Sequence, residues 1–598
     1  MFFENYSLNA CVILMLVAAL TFDYITKFFK YWYVRHVPCD AAIPGFGTDL
    51  QRVLGLRTTT EVITKLYERH PNEKFVGYIK GRIPDLIVRE PEAIRSILAA
   101  DGEHFDRKGL CLERSSDACL SNDLFYAEGQ KCKVLRDAME AFLKYSSWKL
   151  NWINNDMPTY NGDVCIQEEV SIFLDKLITI NFFTTEDSKN IGRQIISMLR
   201  TKLQKPSPVD RIKNHILVLF PSLYVKFGFN FISRNLMDTV KKSLRNHIDN
   251  MVVRKLFDYK SFLESSKSHD KQGQLAEAEE ELTISFLCSF VSNGYLPSYN
   301  VIVATLYELA KNVAIQEKAR NAATSQWNDI LDIHANGENY LDNVISEAMR
   351  MYPPYAVLGR VCTKTYKFPE CGTLIDKGVT VTIPVAAVHR DGKHYANPET
   401  FDPTRFSLVV RQKRHVYSYI PYGGGAEEMC RKNPGSASGD AAYIEKWVMP
   451  GRPSEIGFVG VIGKRMPSYR LEITYREIVQ ERIKIDIDVY FDTMIGIHSE
   501  TEIEIRIKGE VVIAIKSESG IGIAFGSESR ISVTVNTVIG EVLSRWLIRV
   551  TVAALLRNHR LERSAKTPTR LEFVDNGHGR RLKNSLWLKM TPLNFSTT

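Results

Sequence analysis

Apolar residues recur at helical spacing through most of the chain. From about Asp49 to Met251, segments such as TTEVITKLYERH and EAIRSILAA place Val, Ile and Leu three and four residues apart, with polar loops between them. The same spacing returns from Glu277 to Met351, so the pattern predicts a mostly helical body. Between Lys364 and Pro384, Tyr366, Phe368 and the run VTVTIPV predict short strands. The fold class is therefore mainly α with minor β.

Residues 436–540 carry another pattern. ERIKIDIDVYF, TEIEIRIK and EVVIAIK alternate Ile or Val with charge at a period of two, which predicts β-strands or hairpins inserted before the last helix. A stretch built so monotonously from few residue types is also what a low-complexity or misread sequence yields. Both readings stand at this stage, and the second is favoured by the codons discussed below.

The N-terminus has a third pattern. Leu8 to Phe22 is uncharged, Asp23 ends the run, and Lys27, Lys30 and Arg35 follow among aromatic residues. Fifteen residues fall short of the about 20 that span a bilayer as a helix. No basic segment precedes the run and no small-residue cleavage site follows it, so an uncleaved anchor is expected over 1–35, in preference to a removed signal. The cations on its C-terminal side leave the rest of the chain in the cytosol. HVPCDAAIPGFG has the punctuation of a linker over 36–47, followed by a body over 48–435, the insertion, and a C-terminal helix with strands over 541–598.

Composition narrows the function classes only a little. With 598 residues, 44% of them hydrophobic, the chain can bury a large core. A net charge of +8 without a dense Lys/Arg run suits membrane lipid or an acidic protein partner and argues against nucleic acid. The ten cysteines include no Cys-x-x-Cys pair, which excludes a disulfide framework or zinc site as the organising principle.

Chemistry enters with the order of motifs. Glu347 and Arg350 lie three apart on one helix face, where a carboxylate and a guanidinium can pair. MYPP, Arg360, His389-Arg390-Asp391, NPETFDPTRF and Tyr422-Gly423-Gly424-Gly425 follow in turn. This run resembles the C-terminal half of microsomal cytochromes P450, most closely the insect detoxification type, and the resemblance extends over nearly all of the chain outside 436–540. It implies a P450-like fold and a haem-thiolate monooxygenase. The cofactor is haem b, and electrons come from NADPH through NADPH–cytochrome P450 reductase. The setting is the endoplasmic reticulum membrane, and the substrate an apolar small molecule such as a xenobiotic, lipid or hormone. It also implies that Glu347, Arg350 and Arg405 form a network behind the haem, that Arg136, Arg360 and His389 meet the propionates, and that Gly423 and Gly425 shape the loop of the axial ligand. Cys430 is the only candidate for that ligand as the chain is written.

Three departures accompany the resemblance. Cys132 stands where the family has a propionate-binding Trp, although Arg136 is retained. Where the family places Ala/Gly-Gly-x-acid-Thr, this chain reads Asn293-Gly294-Tyr295-Leu296-Pro297-Ser298. Leu296 cannot relay a proton, Pro297 removes a backbone donor and kinks the helix, and Ser298 is left as the candidate relay hydroxyl. In the cysteine loop the family's Arg has become Glu427, and Cys430 falls one place late. These departures keep two alternatives open: a catalytically impaired or non-catalytic P450-like membrane protein, and a haem enzyme that rearranges peroxides.

The genetic code offers an account of the loop. Met429-Cys430 is ATG TGY, and reading one base later places TGT, cysteine, at position 429. The same shift turns Glu427 and Glu428 into Lys or Arg and permits Pro at 426, Ala or Val at 430 and Gly at 431, which restores the family loop. A one-base indel or wrong gene model before the cysteine, with 436–540 as unspliced or misread sequence, follows as the expectation. Removing that block leaves 493 residues, close to the roughly 500 of a family member.

Overall fold

The computed structural model describes residues 6–43, 46–48, 50–80, 83–105, 107, 115, 117–123, 135, 138, 142, 150, 152–155, 157–219, 221–230, 232–252, 273–332, 339–369, 372–423, 457–458, 469–476, 482–489, 495–498, 502–507, 511–516, 520–525, 529–575 and 580–593. The chain divides into two units, one formed by Met1–Pro434 with Val533–Thr598 and the other by Gly435–Ser532.

In the first unit, α1 (Tyr6–Thr26) carries the N-terminal apolar run, and Ile13, Leu14, Met15, Leu16 and Leu20 on it are exposed. Among the described residues, no helix is long and apolar enough to cross a membrane. The chain beyond α1 is pinned to the body. Trp32 is fully buried and donates from Nε1 to Tyr78 O at 3.0 Å, and Gly77 leaves the space that the indole fills: a Cβ there would lie 2.5 Å from Trp32 Cγ. Arg35 stacks on Tyr31 and pairs with Asp376 at 2.6 Å. Pro38 O accepts from Gly77 N at 2.7 Å, and Thr48 N donates to Ile79 O, so the punctuated stretch runs along a strand edge.

α2 (Thr59–Arg69) starts at a capping box of Thr58 and Glu61, which satisfies two end donors. Its apolar spacing buries Val62, Ile63, Leu66 and Tyr67, the first three of them against the sheet that follows. In that sheet β1 (Phe75–Lys80) and β2 (Ile83–Val88) form a hairpin. β3 (Gly162–Cys165) leads into α3 (Ile166–Phe182), and α4 (Glu186–Gln204) opens on a Thr185–Ser188 capping box. α5 (Gly273–Ser289) passes through a π-turn at Phe290–Tyr295 into α6 (Leu296–Lys311). Val301, Ile302, Val303, Ala304 and Leu306 are all fully buried, so α6 is buried nearly all round and belongs to the largest core cluster.

α7 (Val313–Ser325) and α8 (Tyr340–Met351, capped by Asn339) pack on α6 and on each other. β4 (Leu358–Val361) and β5 (Thr380–Ile383) complete the first sheet in the order β1-β2-β5-β4, with β2 and β5 parallel. α9 (Ser529–Asn558) buries Trp546, Leu547, Ile548 and Val550 in the same core as α6. β6 (His559–Arg563), β7 (Phe573–Asp575), β8 (Arg580–Leu582) and β9 (Trp587–Pro592) follow. β7 and β8 form a hairpin, and β9 lies between β6 and β3. The body is thus mainly α with minor β, as the periodicity predicts. The six described cysteines are free thiols.

In the second unit the period-two segments are antiparallel strands. Tyr469–Arg476 pairs with Arg482–Val489, and Ile495–His498, Glu502–Ile507, Val511–Lys516 and Gly520–Phe525 form a meander.

Candidate active site

α8 ends in the buried ion pair. Arg350 donates from Nε to Glu347 Oε2 at 2.7 Å and from Nη2 to Glu347 Oε1 at 2.9 Å, a bidentate fork with both side chains fully buried. Desolvation is costly for both charges, so the remaining positions are filled. Arg350 Nη1 donates to His389 O at 2.9 Å, Asp402 N donates to Glu347 Oε1 at 2.9 Å, and Arg405 Nε lies 3.6 Å from the same oxygen. Burial raises the Glu347 carboxyl above its ordinary value, with Arg350, Asp402 and Arg405 pulling against it. α8, the turn at His389 after β5 and the PTRF turn are locked together here.

Two other site residues differ sharply in their surroundings. Arg360 on β4 is buried, and among the described residues its guanidinium donates only to the neighbouring Gly359 O, at 2.8 Å. Among the described residues no carboxylate pairs with it, and burial alone holds its pKa down to about 10. A buried cation without a partner is costly, and an anionic group beside it removes that cost. His389, which the resemblance puts beside a propionate, is fully buried. Its Nε2 accepts from Ile420 N at 2.8 Å, the ring stacks on Tyr419, and Nδ1 faces the carbonyls of Met349 and Arg350 without a well-formed hydrogen bond. Burial, then the charges of Arg350 and Arg414, push its pKa down to about 3, so the ring is neutral. It is a strut between α8 and the approach to the glycine loop. Gly423 follows a turn closed by Gly423 N to Ile420 O, at φ 105°, a backbone state that favours glycine. Arg136, Gly425 and Cys430, together with Cys132, lie outside the described residues.

The distortion expected at Pro297 is the π-turn immediately before it. Proline offers no N–H to the carbonyl of residue 293. Tyr355 replaces it, donating from its hydroxyl to Asn293 O at 3.1 Å. Asn293 in turn donates from Nδ2 to both oxygens of Asp123, at 3.1 and 2.9 Å. Tyr295 anchors the turn on the other side through Asp175 Oδ1 at 2.8 Å, and Arg200 holds the second oxygen of that carboxylate. Ser298 is fully buried, and its Oγ donates to Gly294 O at 2.7 Å. Sequence reasoning missed Tyr355 and Asp123; the missing donor at Pro297 was the one signal that some hydroxyl had to reach Asn293 O.

The cytochrome P450 family model matches residues 177–428, a span that ends two residues before Cys430. Cytochrome P450 6B5 of Papilio glaucus is 26% identical over 440 residues, covering 68% of this chain and 90% of that protein. Cytochrome P450 6B1 of Papilio polyxenes is 27% identical over 442 residues, covering 68% and 86%. Cytochrome P450 6k1 of Blattella germanica is 24% identical over 458 residues, covering 70% and 86%. Likeness that runs along most of each insect relative, with the Glu347–Arg350 fork buried at the end of α8, means that this chain belongs to the cytochrome P450 family of monooxygenases, insect detoxification type.

Proposed function

We propose that the protein oxidises apolar small molecules, xenobiotics, lipids or hormones, with electrons delivered by NADPH–cytochrome P450 reductase at the endoplasmic reticulum membrane. The observation that carries this reading is Arg360, whose buried guanidinium has no carboxylate partner among the described residues and suits a haem propionate. Haem held by a cysteine thiolate supplies dioxygen activation and oxygen insertion.

The chain's own residues supply the rest. Arg360 binds a propionate, with Arg136 as a second cation on the sequence resemblance. Glu347, Arg350 and Arg405 fix the rear wall, and His389 positions the turn before Gly423 and Gly425. Ser298 moves a proton at Oγ, because a hydroxyl that donates to Gly294 O can rotate and exchange its donor and acceptor roles. Cys430, or a cysteine at 429 in the neighbouring reading frame, would supply the thiolate that holds the haem iron. α1, with its exposed aliphatic side chains, docks into the bilayer, with Lys27 and Lys30 at its cytosolic end.

The carbon monoxide difference spectrum of the reduced, purified protein tests this. A thiolate-type band is expected from the frame-corrected chain, and protein that binds no haem in either form sinks the enzyme reading and leaves a scaffold. Sequencing the transcript across Pro421 to Leu556 tests the frame: a full-length message encoding 436–540 in frame removes the indel account. Leu296 in the acid position favours a second reading, a peroxide-rearranging haem enzyme. Turnover of a lipid hydroperoxide without reductase, and none with reductase, would establish it in place of the first.

A further inference from the structure

A crevice of about 150 Å³ opens on the face of α6 that carries Leu296, Tyr299 and Asn300, between the start of α3, the end of α4 and the β8–β9 connection. It shares no residue with the site around Arg360. Four cations line it, Lys205, Arg580, Arg581 and Lys583, and among the described lining residues there is no carboxylate. Glu572 pairs with Lys583 at 2.8 Å on the exposed rim, which offsets one of these charges. Arg581 Nε is buried and has no hydrogen-bond partner among the described residues. The floor is different in kind: Tyr299 and Leu582 are both buried and present a ring and an aliphatic surface.

The walls are held in place independently of any ligand. Asn300 Nδ2 donates to Arg580 O at 2.6 Å, which ties β8 to α6. Gln167 Nε2 donates to Asn584 O at 3.3 Å and Gln167 Oε1 accepts from Leu586 N at 2.7 Å, which ties the β8–β9 connection to α3. Cations concentrated in a recess with a low-dielectric floor attract a negative group more strongly than the same cations spread over a surface.

We infer that this crevice binds a small aryl anion, one carboxylate, sulfate or phosphate group carried on a single ring. The anionic group meets Arg581 and Lys205, and the ring lies on Tyr299 and Leu582. Such a ligand rests on the helix that contains Pro297 and Ser298.

The test uses the full-length protein in detergent micelles, with and without haem, titrated calorimetrically with phenyl phosphate, benzoate, inorganic phosphate and neutral phenyl glucoside. Phenyl phosphate and benzoate are expected to bind at one saturable site, with the same affinity whether or not haem is present, so the result is independent of the haem reading above. Affinity should fall about tenfold or more in Arg581→Gln and in Lys205→Glu, and should weaken as salt is raised through about 0.5 M. Lys205 is an exposed helix-end residue, so its variant keeps the test valid where Arg581→Gln fails to fold. Unchanged affinity in Lys205→Glu, equal binding of phenyl glucoside, or no saturable binding at millimolar ligand overturns the proposal. Inorganic phosphate binding as tightly as phenyl phosphate overturns its aryl part.

Discussion

Lowering the pH from about 7.5 to about 5 should loosen the turn that leads into the glycine loop, because His389 can accept from Ile420 N only while Nε2 is unprotonated. In the folded protein, burial and then the charges of Arg350 and Arg414 hold this ring to a pKa of about 3, against an ordinary value of 6.5. A depressed folded value means that the stabilisation is complete above about 6.5 and is lost as pH falls from there towards about 3. At about pH 7.5 the ring is neutral in both open and closed states and contributes nothing to opening. At about pH 5 the opened ring is almost wholly protonated while the closed ring is not, which favours opening by about 30-fold, or about 2 kcal/mol. Amide hydrogen exchange at Ile420, corrected for intrinsic exchange, reads this locally and does not require two-state unfolding of so large a chain. Protection should fall by at least about tenfold over that interval in the wild type. His389→Gln keeps an acceptor that does not titrate, so its corrected protection should stay flat. Protection independent of pH in the wild type, or an equal loss in the variant, refutes the assignment.

Glu347→Ala leaves Arg350 buried without its counter-charge and should cost about 3–5 kcal/mol, seen as a large drop in thermal midpoint, whereas Glu347→Leu with Arg350→Met should cost much less. Arg360→Met removes a buried cation that has no carboxylate partner among the described residues, so the haem-free protein should melt higher while haem dissociates about tenfold to a hundredfold faster, measured by transfer to a haem acceptor. Tyr355→Phe leaves Asn293 O without its donor, at a cost of about 1–2 kcal/mol; adding Pro297→Ala restores an N–H in the helix and should recover most of it, which a double-mutant cycle in chemical denaturation measures.

The parts of this protein that were legible in its sequence are those decided by neighbours along the chain. TTEVITKLYERH forms a helix because its apolar residues fall on one face and Thr58 and Glu61 cap its start. VTVTIPV forms β5 because alternation suits a strand. Pro297 announces a distorted helix because it lacks a donor, and the π-turn at Phe290–Tyr295 is that distortion. Glu347 and Arg350 were readable as a pair because three residues is a helical spacing.

Partners drawn from distant segments were not legible. Tyr355 reaches Asn293 O across 62 residues, Asn293 reaches Asp123 across 170, and Trp32 finds the space above Gly77 in a strand that it precedes by 45 positions. His389 shows the limit plainly, since nothing along the chain announces that its Nε2 accepts from Ile420 N 31 residues on and that burial keeps the ring neutral. By itself the sequence determined the helical body, the order of the P450 motifs and the family. The tertiary structure alone decided which charges are buried with partners, as Glu347 and Arg350 are, and which is buried without a counter-charge among the described residues, as Arg360 is. Local spacing sets where a side chain can point, but the cost of desolvating it depends on what the rest of the chain brings alongside.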